Sequence, residues 1–161
     1  YLRALDLLNH RPRSEKEIRH RLVDKGFQPE QIDQVISKLK QANLVRDEAF
    51  ARMWVESRNE FHPRSSKLLR YELRNKGIAE PHIDSALKEM PEEDELAVKA
   101  AMHYIRRLQG KDWQTFRNRL SGFLARRGFS YTTIAPIVKS LWDQQETAVN
   151  NSNNDNEVFE E

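Results

Sequence analysis

The sequence has 161 residues, of which 38% are hydrophobic and 32% are charged, and it contains 5 glycines and no cysteine. This composition suits short amphipathic helices with a large wet surface, while the lack of cysteine excludes disulfides and favours a reducing, cytoplasmic location. No apolar run approaches the roughly 18 residues of a membrane span, so we expect neither a membrane partner nor a secretory signal, and what precedes Tyr1 stays open.

The net charge of +2 conceals an uneven distribution of charges. Residues 1–145 hold all 27 basic residues but 20 of the 25 acids, which gives them a net charge of +7. Residues 96–142 alone hold nine basic residues and one acid, Asp112. A basic body followed by an acidic C-terminal segment favours an anionic partner, most simply nucleic acid.

Three copies of one pattern, 51 residues apart, organise the chain. A basic residue, a glycine and an apolar residue occur together at Gly26, Gly77 and Gly128. Apolar positions keep the same interval on both sides of the glycines: Ile18, Leu69 and Leu120 before them, and Ile32, Ile83 and Ile134 after them. This period predicts three small repeats, each packed on its neighbours.

Each repeat begins with two helices. In the first copy, a helix is predicted around Leu2, Leu5 and Leu8. Ser14 and Glu17 then have the spacing of a capping box that opens a second helix. Asp47 and Asp112 are expected to be N-caps of helices in the later copies.

The glycine ends the second helix and the third helix follows at once. Gly26 is expected to adopt a positive φ, with Phe27 folded back on Leu22 as in a Schellman motif. Pro29 suits the first turn of the third helix, whose apolar face has the spacing i, i+3, i+4 and i+7: Ile32, Val35, Ile36 and Leu39.

The pattern therefore predicts an all-α protein of three tandem three-helix repeats, similar to helix-turn-helix units, that form an elongated curved rod. The predicted domains are repeat 1 over 1–46, repeat 2 over 47–91 and repeat 3 over 95–143. Residues 144–161 are rich in Asn and acids, and we expect this tail to be disordered.

The sequence offers no set of residues suited to catalysis. Five histidines are scattered without metal-ligand spacing, the glycines stand alone, and acid pairs such as Asp47-Glu48 fall at helix starts. We therefore predict no catalytic residues, no metal and no cofactor, and a protein that is not an enzyme.

Basic side chains form two candidate binding surfaces. In the second repeat they make one helical stripe opposite Leu69 and Leu73: Arg64, Lys67, Arg70 and Arg74. In the third repeat they crowd a segment almost without acids: Arg106, Arg107, Arg117, Arg119, Arg126, Arg127 and Lys139. A solvated helix face explains any single arginine, whereas anion binding explains the third group better. Acids on the third helices of the first two repeats argue against major-groove recognition by those helices.

Several motifs resemble the RecX family of bacterial regulatory proteins over roughly residues 4–143. They are Ser14-Glu-x-Glu17-Ile18 with Lys25-Gly26, Leu44-Val45-x-Asp47-x-x-Phe50-Ala51, Leu69-x-x-x-Leu73-x-x-Lys76-Gly77-Ile78 and Phe123-Leu124-x-x-Arg127-Gly128-Phe129. One departure is Phe61-His62-Pro63, where the family usually has a glycine, so the local loop shape is expected to differ.

The resemblance implies a regulator that lies along the RecA filament on single-stranded DNA and inhibits its extension, ATP hydrolysis and strand exchange. It implies RecA and single-stranded DNA as partners, leaves double-stranded DNA open, and fits a monomer. The alternatives are a basic DNA-binding protein that acts without RecA and a purely structural helical adaptor. The sequence does not tell which repeat contacts RecA, or whether the protein caps filaments or coats them.

Overall fold

A computed structural model describes residues 1–157 and is helical throughout this range, with short connections. The helices are α1 (Leu2–His10), α2 (Glu15–Asp24), α3 (Pro29–Gln41), α4 (Asp47–Phe61), α5 (Ser66–Asn75), α6 (Glu80–Leu87), α7 (Glu93–Tyr104), α8 (Trp113–Arg126) and α9 (Tyr131–Glu157). A 3-10 helix, Ile105–Leu108, extends α7. Three consecutive helices make up each repeat, which confirms the all-α tandem-repeat architecture.

The chain forms two compact units. The first unit consists of residues 1–61 and 66–90, and thus contains the helices of the first two repeats. The second unit consists of residues 62–65 together with the chain from Pro91 onward.

Each of the first two repeats has its own small apolar core. The core of repeat 1 is Ala4, Ile18, Leu22, Ile32, Ile36, Leu39 and Val45. The core of repeat 2 is Phe50, Ala51, Val55, Leu69, Leu73, Ile78 and Ile83. The predicted faces of α2 and α3 are therefore buried, whereas on α1 Leu5 and Leu8 are partly buried and Leu2 is 76% exposed. Burial of apolar side chains is the main force that holds such short helices in place.

In the second unit, α8 and α9 pack together and α7 packs against both. The face of α8 that carries Phe116, Leu120 and Leu124 is fully buried. Trp142 of α9 closes this core, with its ring 5.2 Å from that of Phe116 and 5.5 Å from that of Trp113. Phe116, Trp113 and Trp142 therefore pack together at this core.

The glycine turns are Schellman motifs, as predicted. Gly26, Gly77 and Gly128 have φ values of 83°, 78° and 90°. The amide of the residue after each glycine donates to a carbonyl five positions earlier: Phe27 to Leu22 (3.2 Å), Ile78 to Leu73 (3.0 Å) and Phe129 to Leu124 (3.2 Å). A fourth motif of this kind, which the sequence did not suggest, ends α3 at Asn43, with φ of 56°.

The predicted helix starts are partly confirmed. Ser14 and Glu17 form the complete capping box of α2, and the Asp112 carboxylate accepts the Thr115 amide at 2.7 Å as the N-cap of α8. The prediction for Asp47 is wrong, because Asp47 is the first residue of α4 and its carboxylate accepts the amide of Glu15 at 2.9 Å. Asp47 therefore satisfies an open amide at the start of α2, in the preceding repeat.

Helix α9 continues to Glu157, through most of the segment 144–161 for which the sequence predicts disorder. From Glu146 to Ser152 every side chain is exposed, so no apolar burial supports this part of the helix. Disorder of the tail stays a prediction, and residues 158–161 lie outside the described residues.

Candidate DNA and filament interface

Helix α8 separates its arginines onto different faces. Arg119 and Arg126 are seven residues apart and share one exposed face, whereas Arg117 lies on another side of the helix. Gly122 lies between the first two, and a Cβ there would come within 3.3 Å of an Arg126 guanidinium nitrogen. The Arg126 side chain thus lies back along α8 over Gly122, in the direction of Arg119.

Two further arginines that the sequence predicts as binding residues lie against aromatic rings. The rings of Tyr104 and Phe123 stack with their centroids 4.3 Å apart and their planes 6° apart. The Arg107 guanidinium lies 5.9 Å from the Tyr104 centroid, and that of Arg127 lies 5.1 Å from the Phe123 centroid. This cation–π arrangement limits the freedom of both arginines. Arg107 is nevertheless exposed, as is Arg106 in the same 3-10 helix.

Lys139 is an exposed but neutralised charge. Its ammonium group pairs with the Asp143 carboxylate at 2.8 Å, and this hydrogen bond raises the pKa of Lys139. The same ammonium group lies 5.7 Å from the Trp113 ring centroid. Of the predicted third-repeat residues, Lys139 is the least suited to bind an external anion.

The stripe of the second repeat exists but carries acids beside it. Arg70 pairs with Glu80 at 2.7 Å and with Asp84 at 2.8 Å, and Arg74 pairs with Glu80 as well. Hydrogen bonding from Arg74 lowers the pKa of Glu80. Lys67 is exposed on the same side of α5. Because Glu80 and Asp84 of α6 place two carboxylates beside it, the positive electrostatic potential of this stripe is weaker than the sequence suggests.

Arg64 lies outside the helix that carries the other second-repeat residues. It precedes α5, is half-buried and belongs with residues 62–65 to the second compact unit. The structure therefore groups Lys67, Arg70 and Arg74 on α5 and leaves Arg64 apart from them.

A polar joint between the first two repeats is the main feature that the sequence analysis did not identify. The Ser14 hydroxyl donates to the Lys76 carbonyl at 2.7 Å, and the Lys16 ammonium group donates to the Asn75 carbonyl at 3.3 Å. The Lys76 ammonium group pairs with Glu17 at 2.6 Å. The start of α2 is thereby fixed on the turn that ends α5.

Glu17 lies at the centre of this joint. Burial alone would raise its pKa, but hydrogen bonds from Arg11, Lys76 and the Ser14 amide outweigh burial and lower the pKa to about 2. Asp47 differs, since burial dominates and raises its pKa. Lys76 also lies 5.1 Å from the centroid of Trp54, whose indole nitrogen donates to Glu72 at 2.9 Å.

A signal for the joint is present in the sequence. Pro12-Arg13-Ser14 recurs 51 residues later as Pro63-Arg64-Ser65, and both serines are buried. The Ser65 amide donates to the Arg127 carbonyl at 3.0 Å, and Arg127 is 51 residues after Lys76. The buried serine at this repeated position therefore contacts the backbone of the residue that precedes a turn glycine. The recurrence of the motif in the sequence did not by itself reveal this contact.

The part of the chain that the structure describes lacks two other kinds of site. No three His, Asp or Glu side chains in that part of the chain come together as a metal site would require. Within residues 1–157, no helix combines the length and the apolar character needed to cross a bilayer.

The repeated three-helix cores and their charged outer faces define a tandem helical-repeat protein. The first three-helix domain of RecX matches residues 1–39, the second matches residues 47–87 and the third matches residues 92–138. The chain therefore belongs to the RecX family of regulatory proteins.

Curated relatives support the same family. The regulatory protein RecX of Amycolatopsis mediterranei is 38% identical over 138 residues, which cover 84% of this chain and 79% of the relative. That of Chlorobium limicola is 32% identical over 139 residues, or 86% of this chain and 87% of the relative. That of Bacillus pumilus is 31% identical over 91% of this chain, but the match spans 56% of the relative's length.

Solved structures share the fold. A crystal structure of RecX from Lactobacillus salivarius has a TM-score of 0.67 and 25% identity, and covers 88% of this chain and 93% of its own. A second crystal structure of regulatory protein RecX has a TM-score of 0.70 and 29% identity, and covers 85% of this chain and 70% of its own.

Proposed function

We propose that this protein binds the RecA filament on single-stranded DNA and inhibits its extension, ATP hydrolysis and strand exchange. Membership of a regulatory family over all three repeats is the observation that carries the proposal. In this proposal the protein is a cytoplasmic monomer that acts by binding, without a catalytic step.

The charged surfaces support a contact with DNA phosphates. Arg119 and Arg126 lie on one exposed face of α8, and the same repeat also exposes Arg106, Arg107 and Arg117. Guanidinium groups suit phosphate oxygens because their donors are planar and paired. We assign the DNA contact chiefly to the third repeat, since acids neutralise more of the charge on α5.

Inhibition of RecA tests the proposal directly. ATP hydrolysis by RecA on single-stranded DNA is measured while this protein is added well below the RecA concentration. We expect strong inhibition at such ratios, because a protein that acts on an assembled filament affects many RecA subunits at once.

The basic face of α8 also favours a second candidate, a DNA-binding protein that acts without RecA. That function predicts salt-sensitive binding to bare single-stranded or double-stranded DNA with no effect on ATP hydrolysis by RecA. Such a result would contradict the filament proposal and retain the DNA contact.

A further inference from the structure

An apolar groove lies on the first compact unit, between the end of the first repeat and the start of the second. Its volume is about 270 Å³, and its lining includes Pro12, Leu44, Phe50 and Met53. Phe50 is 4% exposed and forms the floor, whereas Leu44 is 46% exposed and Met53 is 38% exposed. The groove thus has a fixed aromatic base and two apolar side chains that face solvent.

The exposure of Leu44 contrasts with two of the other three Schellman motifs. The residue after the turn glycine usually packs back on its own helix. Ile78 and Phe129 do so and are 5% and 4% exposed, whereas Phe27 remains 37% exposed. Leu44 occupies the same place after Asn43, where its amide donates to the Leu39 carbonyl at 2.9 Å, but its side chain remains accessible. Leu44 therefore adds apolar surface to the groove rather than to the core of its own repeat.

Two arginines give the groove a positive rim. Arg13 and Arg46 both line it, and no acid of the described chain is among the lining residues. The Arg13 side chain is fixed by a hydrogen bond of 3.0 Å from its Nε to the Leu7 carbonyl. Burial lowers the pKa of Arg13, and so does the nearby positive charge of Arg11.

Arg46 is exposed and forms no ion pair with any residue that the structure describes. Ala49 and Met53 define the side of α4 that lines the groove. The ion pair between Glu48 and Arg52 lies on another side of this helix, because each of its residues is one position away from them in the sequence. Arg46 also lines a neighbouring pocket with Glu15, Asp47 and Glu48 but forms no ion pair with them among the described residues, so it can still pair with a carboxylate of a ligand.

We propose that this groove binds an acidic segment of a partner protein that carries one bulky apolar side chain. The apolar side chain enters between Leu44 and Met53 above Phe50, and the flanking carboxylates pair with Arg13 and Arg46. Burial of an apolar anchor inside a charged rim is a common arrangement of protein interfaces. Nucleic acid fits this groove less well, because phosphates would pair with the two arginines but leave the apolar surface of Leu44 and Met53 uncovered.

The identity of the partner rests on the proposed function, which makes it a RecA subunit of the filament. The third repeat then contacts DNA, and the groove in the first unit contacts protein. This division predicts that substitutions in the two places affect different binding reactions.

The test compares two exposed methionines. Met53→Glu places a charge of the wrong sign in the groove, while Met102→Glu makes the same change at a residue of α7 that is 49% exposed and lies outside it. Binding of each variant to RecA–single-stranded DNA filaments and to bare single-stranded DNA is measured by fluorescence anisotropy. Thermal unfolding followed by circular dichroism checks that both variants fold.

We expect Met53→Glu to weaken filament binding by about tenfold or more, and Met102→Glu to change it by less than about twofold. Neither variant should alter affinity for bare DNA. If Met53→Glu unfolds, Arg46→Glu replaces it, with Arg3→Glu on α1 as the matched control, and the same difference is expected.

Four outcomes would overturn the proposal in different ways. Equal filament binding by the groove variant and its control would show that the groove is not used, while inhibition by the wild-type protein would leave the proposed function intact. A parallel loss of affinity for bare DNA would make nucleic acid the occupant. Concentration-dependent dimers in sedimentation velocity that disappear only in Met53→Glu would make a second copy of this chain the occupant. If the wild-type protein does not bind filaments at all, the proposed function and the groove proposal fall together.

Discussion

Glu17 receives more hydrogen bonds from charged and backbone groups than any other acid in the first repeat for which contacts are described. Arg11 donates at 2.9 Å, Lys76 at 2.6 Å and the Ser14 amide at 3.1 Å. The side chain is 15% exposed, so solvent screens these interactions less than it does on an open surface. A single carboxylate therefore caps its own helix and joins two repeats.

This environment makes stability depend on pH. The pKa of Glu17 in the folded protein is about 2, below its ordinary value of 4.5. The stabilisation is therefore complete above about pH 4.5 and is lost as the pH falls toward 2. We expect Glu17→Gln to lower the free energy of unfolding at pH 7 by roughly 1 to 3 kcal/mol and to flatten its decline in acid.

Urea unfolding between pH 7 and pH 3 measures both effects. Glu89→Gln, which changes an exposed acid without an ion pair among the described residues, is the control and should keep the wild-type slope. A Glu17→Gln variant with that same slope would show that Glu17 is not the group that couples folding to pH.

Substitutions at two glycines can measure how firmly helix α2 is held against the turn that follows α5. A Cβ on Gly77 would lie 2.6 Å from the Cβ and Cδ of Lys16, whereas a Cβ on Gly26 would meet nothing within 4 Å. Both residues have positive φ, so both alanine variants carry the same backbone strain of about 1 to 2 kcal/mol.

We expect Gly77→Ala to cost at least about 1 kcal/mol more than Gly26→Ala, because helix α2 must move to relieve the clash. Thermal or urea unfolding of the two variants gives the difference directly. Equal destabilisation would mean that α2 is held only loosely on the turn that follows α5.

Helix α8 makes a matching prediction for DNA binding. Arg119→Gln and Arg126→Gln should each reduce the salt dependence of single-stranded DNA binding, expressed as the slope of log K against log salt, by about 0.7. Arg117→Gln removes the same charge from another side of the helix and should leave the slope unchanged. Titrations of labelled DNA at several salt concentrations measure this slope, and equal changes in all three variants would contradict a binding face on α8.

The fold was predictable because the sequence pattern of each repeat depends on residues that are close together in the chain. Apolar spacing identified the buried faces, and the glycines identified the helix ends, since both depend on residues only a few positions apart. The Asp47 prediction was wrong for the opposite reason. Its carboxylate finds a donor 32 residues away in the chain, at Glu15, and no local pattern encodes that contact.

The sequence predicted which repeats are rich in basic residues, but not which of these side chains are free to bind a ligand. The abundance of arginine in the third repeat is visible in the sequence, whereas pairing of Lys139 with Asp143 and of Arg70 with Asp84 depends on side-chain positions. The groove was not predicted, because Leu44 and Met53 belong to different repeats and Leu44 has the spacing of a helix-end residue that normally packs inward.

At the scale of the whole molecule, the charge of the C-terminal tail opposes that of the body. Deletion of residues 146–161 removes five acids and no basic residue, and it raises the net charge from +2 to +7. We expect the shortened protein to bind single-stranded DNA more tightly, because the tail no longer competes with phosphates for the basic surface. Equilibrium binding at low salt checks this, and unchanged affinity would show that the tail does not compete.

The joint at Ser14, Glu17 and Lys76 also makes the first two repeats depend on one residue. The Lys76 carbonyl accepts a hydrogen bond from the Ser14 hydroxyl, its ammonium group pairs with Glu17, and it lies beside Trp54 in the second repeat. A replacement at position 76 therefore alters both repeats at once, although its contacts in the first repeat lie 59 or more residues away in the chain. The first two repeats are thus coupled at this position, although each retains the sequence pattern of a separate three-helix module.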